Sequence, residues 1–557
     1  MKKVLTTFIS LLLLASTEVK AQPGPVKKVA NAVFTITTFK SDGSILANDH
    51  GVFIDGEGTG ITSFSPFIGA TSAKIHDARG KELEVDYIIG ANELYNVAKI
   101  KVKGLTSSAP LAADIKAGTK AWLVPYAVNT PACQEVKVDK VEKFNSTFNY
   151  YIMNSNAPEN AISCPFVTAD GKVLGLLVHS NTDSDVHAID ARFTNSLKVN
   201  GISSLDPALK QTEIRTKLPD TEDDAMFTLI MAKNKGNENN VVKYIEEYIS
   251  KFPTSSEGYK EQAEYLMLKN KYAEADKILQ TGIQKSSKKD EAHYNYSSMI
   301  YKTAIYSPEK YQLWTLDKAY EEAETAYKIQ ALPVYQHLMA QIIFSQQKYQ
   351  KAYESFIALT KSDMRSGELF YEAAQSKRML NAPKNEIFAL LDSAVNVYTR
   401  PYTVQNAQMV APYIYARGKA LDEMGKYREA LKDYNEYDTL MLFRANHEFY
   451  YTRYKCEMQI RQWQQALQDI SHAIILNPNE PTYFAELASL DIRVHREEEA
   501  IKSARRCIEL APEYADGYLL LGLALCQTNN TTEGITNLEK AKQLGDKRAD
   551  GYIKKFK

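Results

Sequence analysis

Tyr450…Tyr454…Ala466-Leu467-Gln468-Asp469-Ile470…Ala473…Asn477-Pro478 is followed by Phe484…Leu487-Ala488…Ala500-Ile501-Lys502-Ser503-Ala504…Cys507…Ala511-Pro512, and then by Tyr518…Leu521-Gly522…Gly534-Ile535…Leu538…Ala541. The small residue that opens each central run advances from 466 to 500 to 534, a constant period of 34. Within each period the apolar residues recur with helical spacing, so one period reads as two amphipathic helices. Small residues fall where two helices approach closely, and proline ends the second helix because it cannot continue the hydrogen-bond ladder.

Looser copies lie upstream. They are Gly418…Gly425-Lys-Tyr427-Arg-Glu-Ala430-Leu…Tyr434, Ala340…Lys348-Tyr349-Gln-Lys-Ala352-Tyr…Phe356 and Ala263…Lys271-Tyr272-Ala-Glu-Ala275…Leu279. From Asp224 onward Gly, Val and Thr thin out in favour of Ala, Leu, Glu, Lys and Tyr, and the reading gives seven to nine helix pairs over 224–557. The period, the small-residue positions and the closing proline resemble the tetratricopeptide repeat. That resemblance implies an all-α superhelical solenoid whose first helices line a groove that takes a protein or peptide ligand. On the family's pattern the groove positions are Tyr415 with Lys419, Tyr451 with Lys455, and Arg493. A spacing of four puts each Tyr and Lys on one helical face, where an aromatic body beside a cation suits a peptide backbone and acidic side chains.

The N-terminal half has a different texture. Gly51-Val-Phe-Ile-Asp55…Gly60-Ile-Thr-Ser-Phe64-Ser65-Pro66-Phe67-Ile-Gly-Ala70 is a glycine-bearing pair of apolar runs closed by Gly-Ala. Gly90-Ala-Asn-Glu-Leu-Tyr95-Asn96-Val-Ala-Lys-Ile-Lys-Val102 and Asn160-Ala-Ile162-Ser163-Cys164-Pro165-Phe-Val…Asp170-Gly171-Lys-Val-Leu-Gly175-Leu follow, and then His187-Ala188-Ile189-Asp190. These blocks resemble the framework of the trypsin/HtrA serine proteases, which implies an all-β double β-barrel over 26–200. The same alignment places Ser65 at the family's histidine, Asn96 at its aspartate and Ile162 at its nucleophile. Acyl transfer needs a hydroxyl, a base and a carboxylate that orients the base, and none of the three residue types is present. Asn160 and Cys164 replace glycines of the loop that builds the oxyanion hole, usually the largest single catalytic contribution.

A rebuilt site is the competing expectation: Ser163 and Cys164 adjoin the nucleophile position, and His50, His76, His179 and His187 lie in the same domain. An active hydrolase requires a base within about 3 Å of Ser163 or Cys164. An inactive barrel is expected to close the former site with an apolar plug of Ile162 and Phe67.

Met1-Lys2-Lys3, the apolar run Phe8–Ala15 and Val19-Lys20-Ala21 read as a secretory signal peptide, residues 1–21, too short to span a bilayer. Export to the periplasm or beyond is therefore expected. The 67 basic and 68 acidic residues nearly cancel, which gives no footprint for nucleic acid. Five cysteines are too few for a disulfide scaffold; a bridge between Cys133 and Cys164 is left open. No ligand spacing suggests a zinc site, and no glycine-rich loop suggests a phosphate, so no metal or cofactor is expected. The polar stretch 201–223, with Pro207 and Pro219, reads as a linker. The expected function is a non-catalytic protein–protein adaptor or scaffold of the cell envelope. The alternatives are an active serine endopeptidase with a substrate-recruiting solenoid, and a holdase, which would need a large exposed apolar patch.

Overall fold

The computed structural model describes residues 22–128, 132–155, 159–179 and 185–557; the expected signal peptide lies outside the described residues. The chain divides into two compact units, Met1–Ser287 and Lys288–Lys557.

The first unit opens with two closed antiparallel barrels of six strands. The first comprises β1 (Val33–Phe39), β2 (Ile45–Phe53), β3 (Thr59–Thr62), β4 (Ser72–Asp77), β5 (Glu82–Asn92) and β6 (Val97–Val102), paired in the order β1-β2-β3-β6-β5-β4. The second comprises β7 (Lys120–Leu123), β8 (Gln134–Phe144), β9 (Phe148–Asn154), β10 (Pro165–Val167), β11 (Val173–His179) and β12 (Asp185–Ile189), and its order β7-β8-β9-β12-β11-β10 repeats the first topology. This is the double-barrel arrangement of the trypsin-like fold. Period-two alternation builds it: Leu83 and Val85 point inward between Glu82 and Glu84, and Ile100 and Val102 between Lys99 and Lys101. Closure removes every free strand edge. Gly51 is required on β2, because a Cβ there would collide with the Phe34 ring and the Ile61 carbonyl.

Residues 201–223 are not a free linker. The 3₁₀ turn Gly201–Leu205 packs on the helix Glu222–Lys235 and on the turn Leu209–Gln211, from which Leu209, with Ile214 beyond it, enters the first barrel's core. Residues 214–217 then run alongside β5: Ile88 N–H donates to Arg215 O (2.9 Å), Lys217 N–H donates to Ile88 O (2.8 Å), and Thr216 bridges Ile88 in parallel. Arg215 carries the contact onward. Its buried guanidinium bonds Asp86 on β5 (2.8 Å) and Glu247 on the helix Glu238–Lys251, and it sits between the rings of Tyr87 (5.0 Å) and Tyr244 (5.5 Å). Tyr244 closes the joint by donating to Thr216 O (3.0 Å) and accepting from Thr216 N–H (2.9 Å).

Nine helix pairs follow among the described residues. Their first helices are Glu222–Lys235, Ser256–Leu268, Lys289–Tyr306, Pro333–Ser345, Gly367–Met379, Val404–Glu423, His447–Gln459, Pro481–Arg493 and Ala515–Gln527, and Ala549–Phe556 closes the array. Each packs most closely on the helix that follows it, and first helices of successive pairs also touch, as Pro481–Arg493 does Ala515–Gln527. This is a tetratricopeptide-like solenoid. The first two pairs fall in the unit that holds the barrels, and the other seven form the second unit.

The period-34 markers Ala466, Ala500 and Gly534 are buried, as are Ala473, Ala504 and Ala541. A Cβ on Gly534 would meet the Cys526 sulfur and the Gly522 carbonyl, so the last pair packs almost backbone to backbone. Charge reinforces the stack. Arg417 forks onto Asp433 of its own pair (2.9 and 2.7 Å) and reaches Asp392 of the preceding pair (2.8 Å). Arg453 repeats the device one pair later with Asp469 (2.6 and 2.9 Å) and Asp438 (3.0 Å). Bidentate geometry makes these stronger than exposed ion pairs.

Glu457 and Asp491, one period apart, lie buried in the last turns of their first helices, each with a carboxylate oxygen that accepts no hydrogen bond among the described residues, that of Asp491 lying 3.6 Å from Arg496 Nε. Burial, with the charge of Asp469 adding, pushes Glu457 up to about 8, and burial pushes Asp491 up to about 6.

Two expected outcomes follow from these contacts. Arg215→Ala strands a buried carboxylate and costs roughly 3–5 kcal/mol; hydrogen exchange should show protection falling in 238–251 while the second barrel keeps its own. Folded Glu457 holds a proton that the unfolded chain releases in the ordinary glutamate range, so its contribution is full below that range and is lost as pH rises towards 8. Glu457→Gln should therefore stabilise the protein by about 4 kcal/mol at pH 8 and by only about 1 kcal/mol at pH 5, read from urea midpoints at the two pH values.

Candidate functional site

Two of the three aligned positions, Asn96 and Ile162, come together where the two barrels meet, in a cleft of about 230 Å³ lined also by Tyr95, Ser163, Leu177 and Phe193; Ser65 does not line it. Asn96 occupies the turn between β5 and β6 with φ 47°, a left-handed conformation that Asn tolerates better than most residues. Its side-chain oxygen accepts from the backbone N–H groups of Phe64 (3.0 Å) and Ser65 (2.7 Å). The amide thus pins the short turn Ser65–Phe67 beside β3 and works as a structural acceptor. Ser65 is exposed on that turn.

Ile162 lies 37% exposed in the cleft wall, and its carbonyl accepts from His50 Nδ1 (3.1 Å). Phe67 does not join it. Phe67 is wholly buried in the first barrel's core beside Phe64, so the expected two-residue plug is not formed: the 3₁₀ turn directs Phe67 inward, and Ile162 alone stands in the cleft wall.

Ser163 is buried at φ 61°, and its N–H donates to Leu177 O (3.0 Å); Cys164 N–H donates to Ala161 O (3.0 Å) and Cys164 O accepts from Leu177 N–H (2.9 Å). The Ser163 and Cys164 amides are thus consumed in holding the loop. His50 spends its Nδ1 on Ile162 O, His76 lies 3.6 Å from Glu82, and His187 Nδ1 pairs with Tyr150 OH (2.6 Å). None of these three rings is hydrogen-bonded to Ser163 or Cys164; the side chain of His179 lies outside the described residues. Cys164 is fully buried, and burial pushes its thiol up to about 12, the opposite of an activated nucleophile. No disulfide joins Cys133 to Cys164 among the described residues, so the bridge left open by the sequence is not formed.

In the second unit the structure brings Tyr415 and Lys419 into a groove of about 770 Å³. Lys419 Nζ stands 5.8 Å from the Tyr415 ring, and Tyr415 stacks on Tyr437 (5.0 Å). Three further pieces come from elsewhere in the chain: Tyr371 and Arg378 from the preceding pair, Pro412 from the same helix, and Met441, Leu442 and Arg444 from the loop after Tyr427–Leu440. In that loop Leu442 (φ 53°) and Phe443 (φ 57°) are consecutive left-handed residues, 70% and 66% exposed. Such backbone costs of order 1–3 kcal/mol per residue. Here Leu442 N–H on Thr439 O (3.0 Å) and Phe443 N–H on Asp438 O (2.9 Å) sustain it. Lys419 and Arg444 have no carboxylate partner among the described residues, whereas Arg378 is paired with Glu423 (2.7 Å).

The second expected pair behaves differently. Lys455 Nζ lies 4.7 Å from the Tyr451 ring, but Tyr451 is half-buried against Tyr483 (4.9 Å) and bonds Glu486 (3.3 Å). Arg493 is exposed at the end of its helix. None of these three lines the groove at Tyr415.

No family model matches the sequence, and no curated protein matches it. Among solved structures the chain is similar to YrrB, described as a TPR protein with an unusual peptide-binding site, at 18% identity over 36% of this chain and 99% of that one, with a TM-score of 0.32. The fold assignment rests instead on the strand order and helix pairing of this chain.

Native protein treated with iodoacetamide at pH 8 should leave Cys164 unmodified, and the same treatment in guanidinium chloride should modify it. Modification of Cys164 in the native state would contradict a buried, protonated thiol.

Proposed function

We propose that this protein is a non-catalytic interaction adaptor of the cell envelope, with a barrel pair that has lost its hydrolase chemistry and a solenoid groove that holds a peptide. The observation that carries the first half is the use of each aligned position. The Asn96 amide holds backbone, the Ile162 carbonyl receives His50, and Ser65 sits on a surface turn with no base beside it. A hydroxyl without a base, and a thiol held protonated by burial, do not attack a peptide carbonyl.

The second half is carried by the groove at Tyr415. Stacked aromatic rings give it an apolar floor, and Lys419 and Arg444 place two cationic charges, with no carboxylate partner among the described residues, at its edge. Aromatic and cationic side chains in one concave surface favour an extended acidic segment that carries an apolar anchor. The exposed, conformationally costly Leu442–Phe443 pair supplies further apolar surface at the rim. Export agrees with the n-region and apolar run at the N-terminus and places the partner outside the cytoplasm.

Two measurements test these halves separately. A fluorophosphonate serine-hydrolase probe should label neither the wild-type protein nor Ser163→Ala; labelling that disappears in the variant overturns the inactive-barrel reading in favour of a rebuilt endopeptidase. Fluorescence polarisation against an acidic–aromatic peptide library should find binders whose affinity falls at least tenfold in Lys419→Glu and in Tyr415→Ala. Binders that ignore both substitutions would move the interface elsewhere.

A further inference from the structure

A second cluster in the solenoid lies apart from this groove. His337, on the first helix Pro333–Ser345, meets Glu368 and Glu372, on the first helix Gly367–Met379 of the next pair, and one donor atom from each lies within 4.8 Å of the other two. The two glutamates are four residues apart and share a helical face. His337 Nε2 bonds Glu372 Oε2 (2.5 Å), and Gln341, one turn along the same helix, donates to Glu372 Oε1 (2.7 Å). Glu368 is exposed and has neither an ion-pair nor a side-chain hydrogen-bond partner among the described residues, and no lysine or arginine pairs with either carboxylate. One imidazole therefore faces two carboxylates. The surplus charge is felt nearby: the Tyr398 and Tyr413 phenols are held above their ordinary range, by burial first, with Glu368 adding to it.

We propose that His337, Glu368 and Glu372 form a zinc site that joins the first helices of two neighbouring repeats. The donor chemistry favours this ion. Calcium and magnesium take all-oxygen sets, whereas one imidazole with carboxylates suits zinc. Zinc–donor lengths of about 2.0–2.2 Å set tetrahedral donors roughly 3.3 Å apart. The His337–Glu372 pair needs to open by about 1 Å and Glu368 to close by a similar amount, which an exposed side chain on a solvent-facing turn does by changing rotamer. Gln341 already bonds a ligand carboxylate, as an outer partner that orients a metal ligand does. Three protein ligands leave a fourth position for water or for a donor from a bound partner. The ligands come from different repeats, which is why no spacing in the sequence discloses them.

The experiment is titration of the chelator-treated full-length mature chain with zinc chloride by calorimetry, paired with the visible spectrum of the cobalt(II)-loaded protein. The wild type should bind one ion per chain at this site and show the d–d absorption of a low-coordinate cobalt centre. His337→Ala and Glu368→Gln should each weaken binding at least tenfold and abolish that absorption; Glu368→Gln is an isosteric change at an exposed position and leaves the fold intact, checked by circular dichroism. Zinc should raise the thermal midpoint of the wild type and not that of Glu368→Gln. Absence of binding overturns the assignment, and so does an affinity unchanged within twofold in either variant, which would locate the ion elsewhere or remove that residue from the ligand set.

Discussion

A single buried guanidinium makes one body of two kinds of secondary structure. Arg215 reaches an aspartate on a barrel strand and a glutamate on a helix, and two tyrosine rings sandwich it. A cation with that little exposure is tolerable only because both carboxylates and the rings are already in place. The barrel, the segment 201–223 and the first helix pairs are therefore mutually dependent. Removing any one of the Arg215 partners leaves a charge in a low-dielectric surrounding.

The barrel pair is held around the aligned positions by backbone hydrogen bonds. The Asn96 side-chain oxygen accepts from the two backbone donors of the Phe64–Ser65 turn, a role that an uncharged amide fills. Its left-handed backbone is tolerable for asparagine. The loop at Ile162 is likewise self-contained, with Ser163 and Cys164 bonded into it through their main chains. Backbone hydrogen bonds set the geometry, and side-chain chemistry is free to change as long as they persist.

The solenoid divides its duties differently. Small residues at the period positions permit close helix packing, and the Arg417 and Arg453 forks tie each pair to the one before. Stability in such arrays is close to a sum over neighbours, so variation on the row of first helices is cheap. That row carries the aromatic groove at Tyr415 and the His337 cluster.

The period of 34 was legible in the sequence, because helix pairing imposes local spacings that recur along the chain. Residues 201–223 were not legible. Their polar composition hides Leu209 and Ile214, whose burial depends on a barrel surface more than a hundred residues upstream. The inward turn of Phe67 depends likewise on a 3₁₀ segment held by Asn96. The pairing of Tyr415 with Lys419 was readable as a four-residue step on one helix; Leu442 and Arg444 joined them through the loop that closes the same pair, and Tyr371 through the stacking of the preceding one. Local periodicity determined which elements form and which faces they bury. Tertiary packing alone decided which side chains from distant repeats share a site, since adjacency between repeats depends on the path of the superhelix and leaves no mark in residue spacing.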